Sequence, residues 1–333
     1  MLERRRLGNT DIELSVIGLG TWVFGGRWGG AEDAESARAL HAAIDAGMNW
    51  VDTADIYGQG RAESIVGKVL AERSEDIIVS TKGGVAWELE PELRIWRAAS
   101  RDYLRMSLER SLTALGLDSV DIYHVHWPVA SVPIEETIGA LNELKDQGKV
   151  RAIAVSNYHL SDLEEVAQAG SIDAYQPGYH LMRRDIEGGE LQWCADNGVG
   201  VLAYGPLAHG LLTGKMDEST TFPPNDWRAT SEFFIDDAYP QRVAVTRELE
   251  TLAHQSGRAG GVAELALAWV LRRPEVTSAI VGARDGAQAV ANAALAGAPL
   301  SHDEGAKIET VLARYPDASR PYGHGEPPDP GAE

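Results

Sequence analysis

Three apolar segments of this chain end in side chains that could together deliver a proton. In NWVDTADIYGQG (49–60) an acid, Asp52, ends the apolar run and a phenol, Tyr57, follows it. DIIVSTKGG (76–84) ends its run in Lys82, and SVDIYHVHW (119–127) carries His126 at its close. A lysine closing a run as apolar as DIIVSTK requires a partner. A free tyrosine has a pKa of about 10 and is a poor acid at neutral pH. An ammonium within about 4–6 Å favours the phenolate and is expected to lower that value. Asp52 would keep such a lysine charged and in place, while His126 would direct a substrate oxygen by donating a hydrogen bond. The chemistry this group suits is protonation of a carbonyl oxygen as hydride arrives at its carbon, where a positioned acid is typically worth about 10² to 10⁴ in rate. Taken singly, Asp52 also reads as a structural strand end and Tyr57 as a packing residue. The combination is what carries the chemistry.

Bringing such distant residues together requires a fold in which several strand ends converge. Eight β-branched runs alternate with helical patterns: 15–22, 49–55, 76–84, 119–127, 150–157, 173–180, 200–207 and 278–284. The helical patterns are 33–46, 61–72, 101–115, 134–147, 159–169, 189–197, a double-length stretch at 241–272, then 286–296 and 302–314. Strict alternation predicts a parallel sheet, and eight units predict a closed (β/α)8 TIM barrel with its chemistry at the C-terminal ends of the strands. Ser161 or Asp162 is expected to cap one helix and Pro133 to start another. Glycines 47, 116, 148, 170 and 198 fall just past helix ends, where left-handed backbone is wanted. RRRLGNTDIEL (4–14) has the Gly-Asn turn of a small hairpin that would plug the barrel floor. Two connections, 85–99 and 216–240, are longer than usual, and both leave C-terminal strand ends. The reading is one barrel domain over 1–316 and a Pro/Gly-rich, disordered tail at 317–333.

The formal charge of −20 over 333 residues argues against a nucleic-acid binder. No run reaches the roughly 18–20 apolar residues of a membrane span, and the N-terminus has no apolar signal core. One cysteine, Cys194, fits a reducing compartment, so a cytoplasmic protein is expected. Only six of the thirty basic residues are lysines, a bias that salt adaptation or a GC-rich genome would each produce. Oligomeric state is not legible.

VDTADIYGQGRAES, STKGG and DIYHVHWP resemble the signature segments of the aldo-keto reductases. GLGTWVFGGRWGG, VSNYHLSDL, AYGPLAHGLLTGK and IVGARDGAQAVAN match further family segments in the same order, from about residue 6 to 314. The resemblance implies a (β/α)8 barrel that reduces aldehydes or ketones with a nicotinamide cofactor. It places the family's catalytic Asp, Tyr, Lys and His on Asp52, Tyr57, Lys82 and His126. It also implies that Thr21, Trp22 and Asp52 lie at the cofactor, with Ser156, Asn157 and Gln176 at the nicotinamide carboxamide and Tyr204 stacked on its ring. Gly205, Pro206, Leu207, Gly210 and Lys215 would wrap the pyrophosphate, and Gly282, Arg284, Gln288 and Asn292 would hold the adenosine end. No G-x-G-x-x-G occurs, so a Rossmann unit is not expected. Arg284 favours NADPH, with NADH bound more weakly, because a guanidinium can pair with a 2′-phosphate. This chain has Ile280-Val281-Gly282 where many family members have Ile-Pro-Gly.

Trp22, Phe24, Trp87, Trp127 and Trp227 fall near the predicted mouth, and three of the five are expected to join Tyr57 and His126 around a carbonyl substrate. Two rival readings remain at this stage. A cofactor-binding regulatory subunit would use the same barrel without turnover. A metal-dependent barrel hydrolase would use His124-x-His126, but its pair ordinarily ends the first strand, so no metal is expected and His124 reads as structural.

Overall fold

The structure is a computed structural model that describes residues 2–26, 28, 32–89, 92–323 and 326–330. Eight parallel strands close into a barrel: β1 Ile17–Gly20, β2 Trp50–Asp52, β3 Ile78–Gly83, β4 Val120–Val125, β5 Val150–Ser156, β6 Ala174–Gln176, β7 Gly200–Tyr204 and β8 Val276–Gly282. Each lies in or against a segment read as a strand, and β8 pairs back onto β1 to complete the ring. Helices fill the expected intervals, and the double-length stretch resolves into Tyr239–Gln255 and Gly261–Leu271.

Strand side chains alternate between inside and outside, so each strand projects a row of every second residue into the barrel. The rows run from apolar at the bottom to polar at the top: Trp50 then Asp52, Ile78 then Ser80 and Lys82, Ile122 then His124, Ala154 then Ser156, Ala174 then Gln176. The lower ends of these rows form one buried cluster, closed from below by Leu7, Ile12 and Leu14. Those three belong to the predicted N-terminal hairpin, Arg4–Arg6 paired antiparallel with Glu13–Ser15. Trp50 packs so closely on β1 that a Cβ at Gly18 would lie 2.1 Å from its ring. The indole donates to Ser15 O at 3.2 Å and Ser278 Oγ at 3.1 Å, so it is fixed in orientation as well as depth. A larger apolar cluster packs the outer faces of the strands against the helices.

Several local expectations need correction. Gly47, Gly116, Gly148 and Gly198 are left-handed, but Gly170 has φ 163° and is simply extended. The helix at 160–169 is entered through His159, whose N–H donates to Asp162 at 2.8 Å, so Asp162 supports the cap from inside the first turn. The 85–99 connection is largely an antiparallel flap, Val85–Glu88 against Arg94–Arg97. The 216–240 connection is pinned by a bridge between Trp28 and Asp226. The tail departs furthest from expectation, because its described residues pack against the barrel. Tyr322 is buried against Phe233 with ring centroids 4.5 Å apart. Arg97 donates from Nε to Pro327 O at 3.0 Å and from its backbone to Pro328 O at 2.9 Å. Residues 324, 325 and 331–333 of the expected disordered tail lie outside the described residues. The tail is poor in apolar side chains, but its carbonyls find donors on the flap, and composition does not report that.

Candidate active site

Asp52 is the junction of the polar layer. Its Oδ2 accepts from Lys82 Nζ at 2.5 Å, and its Oδ1 accepts from Ser80 Oγ at 3.0 Å and Gln176 Nε2 at 2.9 Å. Lys82 also donates to Thr53 O at 2.9 Å. Both members of the ion pair are buried, at 3% and 1% exposure, and neither charge could stand there alone. Ser80 Oγ also meets His124 Nε2 at 3.0 Å, so His124 supports the Asp52 network from a second strand.

Tyr57 enters from the turn after β2. Its N–H donates to Ala54 O at 3.1 Å, and the turn closes through positive φ angles at Gly58, Gln59 and Gly60. Gly25 packs on this turn so closely that a Cβ there would lie 2.9 Å from Gly58 N. The Tyr57 ring centroid is 5.2 Å from Lys82 Nζ and 5.8 Å from the His126 ring. The four predicted residues therefore meet at one place.

Their electrostatics differ from the sequence reading in one respect. Burial, reinforced by the Asp52 carboxylate, holds the Tyr57 phenol well above its ordinary value. The expected net lowering is absent, because burial and the Asp52 carboxylate outweigh the Lys82 ammonium 5.2 Å from the ring centroid. Burial likewise pulls Lys82 below its usual value, against the attraction of Asp52. Burial and the nearby Lys82 charge push His126 and His124 well below the usual imidazole range, so both are neutral at neutral pH. The result is a neutral phenol and a neutral imidazole beside a buried ion pair.

These groups open onto a cavity of about 640 Å³ that continues across the barrel mouth. Its walls include Trp22, Asp52, Tyr57, His126, Trp127, Ser156, Asn157, Gln176 and Tyr204. They also include Gly205, Pro206, Leu207, Gly210, Lys215, Gly282, Arg284, Gln288 and Asn292. Lys82 lies beneath this surface and acts on it through Asp52. The cavity suits an extended ligand, polar at one end and flat at its centre. Asn157, left-handed at φ 62°, donates Nδ2 to His126 O at 3.0 Å and to Ser156 Oγ at 3.1 Å, leaving Oδ1 as its acceptor. Arg284 is exposed on the cavity wall, its backbone N–H donating to Gln288 Oε1 at 3.1 Å. It stands ahead of the helix Gly286–Ala294, whose amino end favours anions. Arg228 also reaches the cavity, but Asp226 holds it at 2.9 and 2.6 Å.

Besides Lys82, four predicted residues are not on the wall. Thr21 is fully buried, with its hydroxyl donating to Asp52 O at 3.0 Å, so it sits under the site. Phe24 is fully buried in the core below the short helical turn Trp22–Gly25. Trp87 carries the Arg110 guanidinium on its ring at 4.3 Å. Trp227 backs Trp22 at 5.0 Å between ring centroids instead of meeting the cavity itself. Two of the five aromatics, not three, line the cavity. Sequence reasoning missed Trp28, His209, the flap residues Leu93 and Ile95, and Pro327 of the tail, all of which do. Only Trp28 had a signal, as a tryptophan in a glycine-rich segment after β1. Burial lowers the His209 imidazole to about 3, so it lines the wall as a neutral ring.

Comparison with known proteins agrees with this geometry. The Aldo/keto reductase family model matches residues 16–313. The NADH-specific methylglyoxal reductase of Escherichia coli is 35% identical over 293 residues, covering 83% of this chain and 88% of that one. The solved glycerol dehydrogenase AKR11B4 from Gluconobacter oxydans superimposes with a TM-score of 0.87 at 35% identity, covering 96% and 98% of the two chains. An aldo/keto reductase from Klebsiella pneumoniae in complex with NADP and acetate gives a TM-score of 0.71 at 28% identity, over 95% and 96%. A barrel whose polar rows end in an aspartate, a lysine and a histidine beside a loop tyrosine thus accompanies a match along nearly the whole sequence, and the chain belongs to the aldo/keto reductase family.

Proposed function

We propose that this protein reduces an aldehyde or ketone to the alcohol, with Tyr57 supplying the proton. The observation that carries the reading is the convergence of Tyr57, His126 and the buried Lys82–Asp52 pair on a cavity of about 640 Å³ whose wall also includes Tyr204, Gly282 and Arg284. The residues present fit a nicotinamide cofactor. Tyr204 offers an aromatic face at the cavity's centre, Gly205 and Gly282 leave backbone uncovered, and Arg284 supplies an exposed cation at the far end. When bound, the cofactor supplies the hydride. NADPH is the preferred form and NADH the weaker one, supported by Arg284 and by the two kinds of cofactor named for the relatives.

The chain's own residues do the rest. Gln176 and Asn157 present a donor and an acceptor suited to a carboxamide. His126, neutral, donates a hydrogen bond to the carbonyl oxygen and sets its direction. Tyr57 protonates that oxygen as charge develops on it. Burial keeps the phenol protonated in the resting site and opposes its ionisation, so release of the proton depends on the ammonium beside it. The Lys82 ammonium stabilises the phenolate that forms, and Asp52 keeps the ammonium in place. The buried thiol of Cys194 supports the reducing cytoplasm as the setting.

Tyr57→Phe tests the assignment because it removes the proton and little else. Turnover with NADPH and a panel of aldehydes, ketones and sugars should fall by about 10² to 10⁴, with cofactor affinity held within a few-fold. Retention of more than about a tenth of the wild-type kcat would remove Tyr57 from the role. Multiple turnovers by the wild type would also separate an enzyme from a regulatory subunit.

A further inference from the structure

The segment that follows β6 runs beside the end of β7. Gly178 bridges to Tyr204, Tyr179 N–H donates to Tyr204 O at 3.1 Å, and Tyr204 N–H donates to Pro177 O at 2.9 Å. This course brings Arg183 to the tyrosine ring. Its Nη1 donates to Tyr204 Oη at 3.0 Å, and its guanidinium carbon is 5.7 Å from the ring centroid. The same hydroxyl donates to Asn157 Oδ1 at 2.8 Å, and Asn157 Nδ2 donates to His126 O at 3.0 Å. A directed chain of hydrogen bonds therefore runs from Arg183 through Tyr204 and Asn157 to the backbone of His126.

The site for this guanidinium is built. A Cβ at Gly178 would lie 2.0 Å from Arg183 Nη1 and 3.0 Å from Tyr204 Cζ, so only glycine leaves room for the contact. The Arg183 side chain is 15% exposed, and its only carboxylate within ion-pair range among the described residues is Asp185, 3.5 Å from Nε. Burying most of a charge against a hydroxyl is a poor device for stability, since desolvation is costly and the partner returns little. It is an effective way to fix a ring, because the hydroxyl accepts on one side and donates on the other.

We infer that Arg183 is a positioning residue, holding the Tyr204 ring and the Asn157 amide in the orientation that places the nicotinamide for hydride transfer. The inference rests on the proposed function, in which Tyr204 and Asn157 meet the nicotinamide. Arg183 touches neither cofactor nor substrate. It acts through Tyr204, so loss of either end of their bond should have the same effect.

The test is a double-mutant cycle on the full chain with Arg183→Met and Tyr204→Phe. Single-turnover hydride transfer from NADPH is followed by stopped flow, with NADPH affinity measured by fluorescence titration. Arg183→Met should slow transfer by about tenfold while changing the dissociation constant only a few-fold. Tyr204→Phe should do the same, and the double variant should be no slower than the slower single one. Arg183→Lys, which retains a donor, should recover part of the rate. A general structural role predicts loss of affinity and effects that multiply. Wild-type transfer by Arg183→Met, or multiplicative losses in the double variant, would overturn the inference while leaving the proposed reaction intact. A wild-type chain that transfers no hydride to any carbonyl would end both.

Discussion

Directly after the strand that ends in Asp52, the chain buries a second acid with much weaker support. Asp55 is 1% exposed, accepts from Ser107 Oγ at 2.5 Å, and has Arg110 Nη2 at 3.6 Å, while its Oδ1 has no hydrogen-bond partner among the described residues. Glu63, Lys82, Tyr57 and Tyr123 lie close enough to act on its charge or to be acted on by it. Burial, only partly offset by the Ser107 bond, pushes the carboxyl up to about 8. The unfolded chain gives up this proton at about pH 4, so between that point and about pH 8 the native state binds one more proton than the unfolded state. Stability must then fall as pH rises, by about 1.4 kcal/mol per unit from this group alone. Asp55→Asn fixes the neutral form and retains the contact to Ser107. Its stability relative to wild type should therefore grow by about 4 kcal/mol between about pH 5 and about pH 8, and flatten above. Urea denaturation of both proteins across that range, read as unfolding free energies, measures the difference. A difference independent of pH would mean that Asp55 is ionised in the native state throughout, and the argument from its burial would be wrong.

Two further outcomes follow from the cavity walls. Arg284→Ala should weaken NADPH by about ten- to hundredfold and leave NADH nearly unchanged, the loss expected for a charge-assisted bond of roughly 1.5–3 kcal/mol, as titration with each cofactor would show. Equal losses would place Arg284 at the adenine or pyrophosphate; Arg228 would be a poor replacement, since Asp226 already pairs with it. Arg97→Ala releases its bonds to Pro327 and Glu326 and should open the tail side of the mouth. The ratio of kcat/KM for a bulky aryl ketone to that for a small aldehyde should rise several-fold, and an unchanged ratio would show that the tail does not bound the substrate.

Asp52 and Lys82, proposed as catalytic, are legible because strands repeat every two residues. Once Trp50 is inside, Asp52 is inside and one layer higher, and the same reasoning runs from Ile78 to Lys82. It could also have found Ser80 and His124, which stand in those rows. The aromatics resisted because their segments have other periods. Trp22 and Phe24 share a 3₁₀ turn of about three residues, so positions two apart point in different directions, one to the cavity and one to the core. Pro327 and Arg183 act through contacts between segments far apart in sequence, and no local pattern marks them. Proximity to Lys82 alone misjudges the acidity of Tyr57, because burial and the Asp52 charge outweigh it.

The Gln176–Asp52 hydrogen bond joins β6 to β2, strands that stand four apart in either direction around the ring. Mechanically this is a crossbar spanning the bore, and Ser80 and Lys82 of β3 anchor one of its ends. This tie lies within a ring already closed by strand pairing, while the mouth above it is bounded by separate segments: the flap at 85–97, the segment bridged at Trp28 and Asp226, and the tail. The chassis and the rim are therefore separate parts, and the rim can be redesigned for new cargo without loosening the frame beneath the proposed proton donor.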